Sequence, residues 1–103
     1  MALKDITSRQ AVLDAVAEYD RLGQVEFLKR YGFGRAREFY LVVNDRQYDS
    51  KAIVGAAHGY QFPETGPLMP RDFSGGEATV QRLLESLGFE VRVCKPSQID
   101  RTE

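Results

Sequence analysis

Histidine, cysteine and tryptophan are scarce in this 103-residue chain, which has one histidine, one cysteine and no tryptophan. A single cysteine cannot close an internal disulfide, and one cysteine with one histidine cannot supply the four ligands of a structural zinc site. No apolar run approaches the ~20 residues that cross a bilayer, and the first residues lack the apolar core of a signal peptide. The sequence therefore predicts a cytoplasmic protein with one hydrophobic core, without a metal or cofactor.

The net charge of -1 hides an uneven distribution of charged residues along the chain. Residues 27–71 carry seven basic and four acidic side chains, whereas the segments on either side are both net acidic. The stretch FLKRYGFGRAR within this region has four basic residues, no acidic residue and three aromatic residues. Such a stretch is either a solvated helix end or a surface that meets phosphates and bases.

Hydrophobic periodicity predicts two helices in the first third of the chain. Apolar residues at three- and four-residue spacing follow Ser8, a good N-cap, and stop at Gly23. The polar side chains of this first helix, Glu18 among them, are expected to face water. A second, shorter helix is predicted over Gln24–Tyr31, before the glycines of GFG.

Two further helices are predicted in the second half. The third covers 51–58, with Asp49 or Ser50 as its cap and Gly59 at its end. A Ser-x-x-Glu capping box at Ser74 begins the last helix, whose apolar face runs up to the glycine at position 88.

Three segments have the composition of strands. Residues 38–44 are rich in β-branched and aromatic side chains and lead through an Asn-Asp turn into a short partner at 46–48. Residues 89–93 alternate and should join the same sheet, while the proline-rich segment 61–73 should be a loop. We therefore predict an α+β domain over residues 1–94, with three to four helices on a small, mainly antiparallel three-stranded sheet. Residues 95–103 form a polar, frayed tail.

The single histidine, His58, lies among alanines and glycines whose spacing allows another backbone to come close. Packing is the first interpretation of His58, and contact with a ligand or with DNA is the alternative. Catalysis would need an activated nucleophile, and the sequence has no nucleophile-elbow signature.

Three phrases, FLKRYGFGRAREFYLV, YDSKAIVGAAHGYQ and LMPRDFSGGEATVQRLLESLGFEV, carry a family resemblance. Together they resemble the N-terminal head domain of McrA-like (ScoMcrA-like) type IV, modification-dependent HNH restriction endonucleases of bacteria. The resemblance runs from about Thr7 to Val93. It implies a role in bacterial defence, in which accessory domains recognise modified DNA and a separate HNH nuclease cuts it.

An HNH nuclease needs several histidines, so this chain is expected to be a non-catalytic DNA-recognition domain whose partners are DNA and the remaining domains of the nuclease. Methylated cytosine is the modification we expect it to read, in the groove or after base flipping. The residues predicted to contact DNA are Lys29, Arg30, Arg35, Arg37, Arg46, Lys51, His58 and Arg71. The aromatic residues predicted to line a base pocket are Tyr31, Phe33, Tyr48, Tyr60 and Phe62.

The alternative function is a protein-interaction or dimerisation module of the same nuclease, without direct DNA contact. The acidic outer face of the first helix and the small-residue helix at 51–58 could both serve that purpose. Steep dependence of binding on salt would favour DNA, and self-association without DNA affinity would favour the interaction module.

Overall fold

The computed structural model describes residues 6–35, 39–70 and 76–93, with side chains in the last range from residue 79 onward. These residues form an antiparallel sheet in the order β2-β1-β3, packed with four helices, which confirms the predicted α+β fold. The elements in chain order are α1 (Arg9–Leu22), α2 (Gln24–Tyr31), β1 (Phe39–Val43), β2 (Arg46–Asp49), α3 (Ser50–Gln61), α4 (Gly76–Ser86) and β3 (Glu90–Val93).

The first two helices have the predicted boundaries. The Ser8 hydroxyl accepts a hydrogen bond from the Ala11 N–H at 3.1 Å and so caps α1. Gly32 ends α2 in the left-handed conformation, with φ of 78°, which glycine adopts without steric cost. The end of α2 at Gly32 therefore lies in the middle of the basic stretch, residues 27–37.

The predicted hairpin is also confirmed. Asn44 and Asp45, which join β1 to β2, have positive φ values of 53° and 67°. Two left-handed residues in succession are typical of the tight turn whose twist matches that of the flanking strands. Strand β3 pairs with the other edge of β1, where Leu41 lies opposite Val91.

Helix α3 is longer than the sequence predicted, and Gly59 does not end it. The helix continues to Gln61 and is closed by the N–H of Phe62, which donates to the His58 carbonyl at 2.8 Å. Gly59 instead permits a close approach, because a Cβ at this position would lie 2.9 Å from the Pro67 nitrogen. The predicted cap is only partly right, since Asp49 occupies the N-cap position but its side chain makes no capping hydrogen bond.

The core is centred on α3, which packs against α1, α2, α4, β1 and β2. All of its residues from Ala52 to His58 are buried. Small side chains let α1 lie close to it, with Val12 and Ala15 of α1 fully buried. Because α3 touches both the other helices and the sheet, it positions the loop that follows it.

Within the part of the chain that the structure describes, no helix is both long and apolar enough to cross a membrane. The side chains of the predicted capping box, Ser74 and Glu77, lie outside the described residues, as do Cys94 and the tail 95–103.

Candidate nucleic-acid interface

A pocket of about 350 Å³ opens between α1, α2, α3 and the segment 62–68 that follows α3. One wall consists of Ala56, Gly59, Pro63, Gly66 and Pro67, which bring the loop backbone close to α3. The other lining residues are polar, and we call the cavity the Glu18 pocket. Its polar lining residues are Glu18, Arg21, Arg30, Tyr31 and Tyr60.

Glu18 is buried, with 3% of its surface exposed, and this corrects the prediction that it faces water. Its Oε1 accepts hydrogen bonds from the hydroxyls of Tyr31 at 2.6 Å and Tyr60 at 2.9 Å. Its Oε2 lies 3.1 Å from Nε of Arg30. Burial of the carboxylate is tolerated because donors from two other helices surround it.

Arg30 is both anchored and accessible. The ion pair with Glu18 holds its Nε, yet 61% of the side chain remains exposed. An arginine fixed in this way loses less conformational freedom when its guanidinium binds a phosphate. The arrangement therefore suits recognition of an anion at the rim of the Glu18 pocket.

The two tyrosines of the pocket remain protonated near neutral pH. Burial, followed by the hydrogen bond to Glu18 and the negative charge of that carboxylate, raises the pKa of Tyr31 to about 12. The same causes, burial first, raise the pKa of Tyr60 above its ordinary value. Both hydroxyls are thus permanent donors to Glu18 at physiological pH.

Tyr60 also offers an accessible aromatic ring. It is 41% exposed, and its hydroxyl is held by Glu18. An aromatic face that is fixed at one end and open to solvent can stack on a base.

The other predicted basic residues are distributed over several surfaces. Lys29 and Arg35 are exposed at the end of α2 and just beyond it. Arg46 is exposed on β2 and lies 3.4 Å from the Asp20 carboxylate, whereas Lys51 is half-buried at the start of α3. The remaining two, Arg37 and Arg71, lie outside the described residues.

The five aromatic residues predicted to line one pocket lie at separate places in the structure. Tyr31 and Tyr60 share the Glu18 pocket. Tyr48 is buried in the core, where its ring lies edge-on to Tyr19 and its hydroxyl donates to Asp20 at 2.7 Å. Phe33 is half-buried beside α3, and Phe62 packs on the ring of His58, so these three side chains contribute to packing.

His58 has no exposed surface. Its Nδ1 lies 2.8 Å from the Gly66 carbonyl oxygen, and its ring centroid is 4.9 Å from that of Phe62. Because a carbonyl only accepts, Nδ1 is the donor in this bond. These contacts attach the loop to α3 and support the packing interpretation of His58.

Sequence reasoning missed Glu18 and Arg21 as pocket residues. A signal for Glu18 was present, because it continues the buried row of Ala11 and Ala15 at four- and three-residue spacing. A carboxylate in that buried row indicates that hydrogen-bond donors from other elements surround it. Arg21 lies one helical turn further along, at the rim of the pocket.

No group of three or more His, Cys, Asp and Glu side chains that could hold a metal occurs among residues 6–35, 39–70 and 76–93. The polar side chains that line the Glu18 pocket are one carboxylate, two guanidinium groups and two phenols.

Comparison with known proteins identifies a family match over most of the chain. The model of the ScoMcrA-like, N-terminal head domain matches residues 4–93. A solved structure described as the type IV phosphorothioation-dependent restriction endonuclease ScoMcrA has a similar fold, with a TM-score of 0.64 and 29% sequence identity. That similarity covers 86% of this chain but only 13% of the solved chain. No curated protein matches the chain.

Proposed function

Because the chain belongs to the family of ScoMcrA-like N-terminal head domains, we propose that it binds DNA, without cutting it, on behalf of a type IV restriction endonuclease. The family corresponds to the head region of such an enzyme and not to its nuclease domain. The observation that carries the proposal is Arg30, whose guanidinium is anchored on buried Glu18 and still 61% exposed. Exposed Lys29 and Arg35 on either side of it supply further positive charge for the DNA backbone.

A finer part of the proposal is selectivity for modified DNA. The related solved endonuclease is described as phosphorothioation-dependent, which places the modification on the backbone phosphate. A methylated cytosine, the modification predicted from the sequence, lies instead on a base edge. The two chemistries are distinguished by comparing one duplex in unmodified, phosphorothioate and 5-methylcytosine forms.

The test is fluorescence-anisotropy titration of the chain with these duplexes over a range of salt concentrations. We expect affinity to fall with salt, because each phosphate contact contributes a slope of about -0.9. Arg35→Ala should weaken binding to every duplex and reduce the magnitude of the slope by about 0.9. A preference for one modified duplex should persist in this variant, since a phosphate contact carries no base information.

The matched control is Arg82→Ala, which also removes one exposed positive charge. Arg82 lies on α4 beside a different cavity, lined by Ile6 and Leu83 among others. The Arg82→Ala variant should leave both the DNA affinity and its salt slope unchanged. Equal effects of the two variants would contradict the assignment of the DNA surface to the end of α2. Self-association in sedimentation without DNA affinity would replace the proposal with the interaction module.

A further inference from the structure

We propose that the Glu18 pocket receives an unpaired nucleotide of the bound DNA, with its base on Tyr60 and its phosphate between Arg21 and Arg30. This inference rests on the proposed DNA binding and specifies which form of DNA the pocket takes. Three features of the pocket carry it: an open aromatic face, an excess of positive charge, and a buried carboxylate with a remaining acceptor position.

The aromatic face is that of Tyr60. Phe27 and Tyr48 are buried in the core, whereas Tyr60 is 41% exposed. Its hydroxyl is held at 2.9 Å from Glu18, so the ring does not have to be ordered when a base arrives. Bases within a duplex are stacked on their neighbours, and only an unpaired or extruded base can present its face to this ring.

The charge of the pocket favours an anionic group at its rim. Glu18 contributes one negative charge, while Arg21 and Arg30 contribute two positive charges, which leaves a net charge of +1. Glu18 neutralises only Arg30, and no salt bridge joins Arg21 to an acidic group within the described residues. Arg21 is exposed and thus available to a phosphate.

The carboxylate can read the edge of a base. A carboxylate has about four acceptor positions, and Glu18 uses three of them, for Tyr31, Tyr60 and Arg30. The remaining position lies on Oε2, since Oε1 already accepts two hydroxyls. An N–H group of a nucleobase is a suitable donor for it, whereas a phosphate oxygen would be repelled.

The experiment compares three forms of one short DNA by fluorescence anisotropy: a fully paired duplex, the duplex with one bulged nucleotide, and the same bulge lacking its base. We expect the bulged duplex to bind at least about fivefold more tightly than either other form, because stacking contributes roughly 1–3 kcal/mol per base. Tyr60→Ala should remove this preference, and Tyr60→Phe, which keeps the ring, should retain it. Far-UV circular dichroism before and after heating establishes that each variant is folded.

Arg21→Ala tests the phosphate part of the inference. It should weaken binding of the bulged duplex several-fold and reduce the magnitude of its salt slope by about 0.9, with Arg82→Ala as the charge-matched control. An unchanged affinity and slope for Arg21→Ala would overturn the assignment of the phosphate to this rim.

The two proposals fail in distinguishable ways. If paired and bulged duplexes bind equally, and Arg35→Ala weakens both, the nucleotide pocket is overturned and DNA binding stands. A bulge preference that survives in Tyr60→Ala also overturns the pocket. The absence of binding to any of the three DNAs overturns both proposals.

Discussion

Glu18 keeps a negative charge inside the domain because three partners from two other helices surround its carboxylate. Tyr31 and Arg30 lie on α2, Tyr60 lies on α3, and all three converge on one carboxylate of α1. The ion pair also determines where the Arg30 guanidinium lies. Glu18 is therefore a positioning residue for the proposed interface, in addition to holding three helices together.

The raised pKa of Tyr31 predicts a loss of stability at alkaline pH. The pKa is about 12 in the folded chain, against an ordinary value of 10.0. Its contribution to stability is complete below pH 10 and is lost as the pH rises towards 12, because the unfolded chain releases this proton first. Over that window Tyr31 should lower the free energy of unfolding by about 1.4 kcal/mol per pH unit.

The measurement is urea unfolding of the wild type and of Tyr31→Phe between pH 9 and about 12. The variant is expected to be less stable at pH 9, because Glu18 loses a donor, and to show a shallower decline above pH 10. If the free energies of unfolding of the two proteins fell in parallel as the pH rises, the pKa of Tyr31 would not be raised in the folded chain.

At the scale of elements, α3 depends on glycine at positions where glycine normally weakens a helix. A Cβ at Gly55 would lie 2.8 Å from the Leu68 carbonyl oxygen and 2.9 Å from Cζ of Phe33. The N–H of Leu68 also donates to the Gly55 carbonyl at 3.0 Å, so the loop cannot move away without losing this bond. Gly55 thus lets the loop that forms one wall of the Glu18 pocket lie directly on the helix.

We predict that Gly55→Ala destabilises the domain, although alanine is favoured over glycine in a helix by about 1 kcal/mol. The backbone contact with Leu68 must open, and the expected net loss is roughly 1–3 kcal/mol. Thermal unfolding followed by circular dichroism measures it. The losses of stability caused by Leu68→Ala and Gly55→Ala should not be additive in the double variant, since both substitutions release the same loop. A stabilised Gly55→Ala variant would contradict the close approach.

The sequence predicted the individual helices and strands better than it predicted the contacts between them. Caps and periodicity located α1, α2 and the hairpin, because those signals are local. The extension of α3 beyond Gly59 was missed, because that glycine serves a contact with Pro67, eight residues away, and the sequence pattern contains only the usual helix-ending preference.

The same limit applies to the candidate site. Arg30, Tyr31 and Tyr60 were predicted as site residues, but the assignment of Tyr48 and Tyr60 to one pocket ignored which face each occupies. Tyr48 points into the core beside Tyr19, whereas Tyr60 faces the Glu18 pocket. Composition could not separate them, since tyrosine serves equally well in cores and at interfaces.

At the scale of the whole molecule, helices and sheet are joined by a buried polar network around Asp49, the last residue of β2. Asp49 is 3% exposed and accepts hydrogen bonds from the Tyr19 hydroxyl at 2.6 Å and from the Gln24 amide at 3.1 Å. Its partners belong to α1 and α2, so one carboxylate connects the sheet to both helices. Because α3 also packs on both strands of the hairpin and on the other helices, we expect the helices and the sheet to unfold together even without this carboxylate.

Asp49→Ala is predicted to lower the free energy of unfolding by about 2 kcal/mol, because it leaves the buried Tyr19 hydroxyl and the half-buried Gln24 amide without this acceptor. For a domain of this size that loss corresponds to a fall in Tm of roughly 8 °C or more. Far-UV circular dichroism reports the helices, and tyrosine fluorescence reports the network, since the chain has no tryptophan to mask it. The two signals should change at the same, lowered temperature.

The control is Glu85→Ala, which removes an exposed carboxylate from α4 and should shift neither transition. Separate transitions in Asp49→Ala would contradict the expected unfolding as one unit, whereas an unchanged Tm would mean that the network around Asp49 does not stabilise the domain.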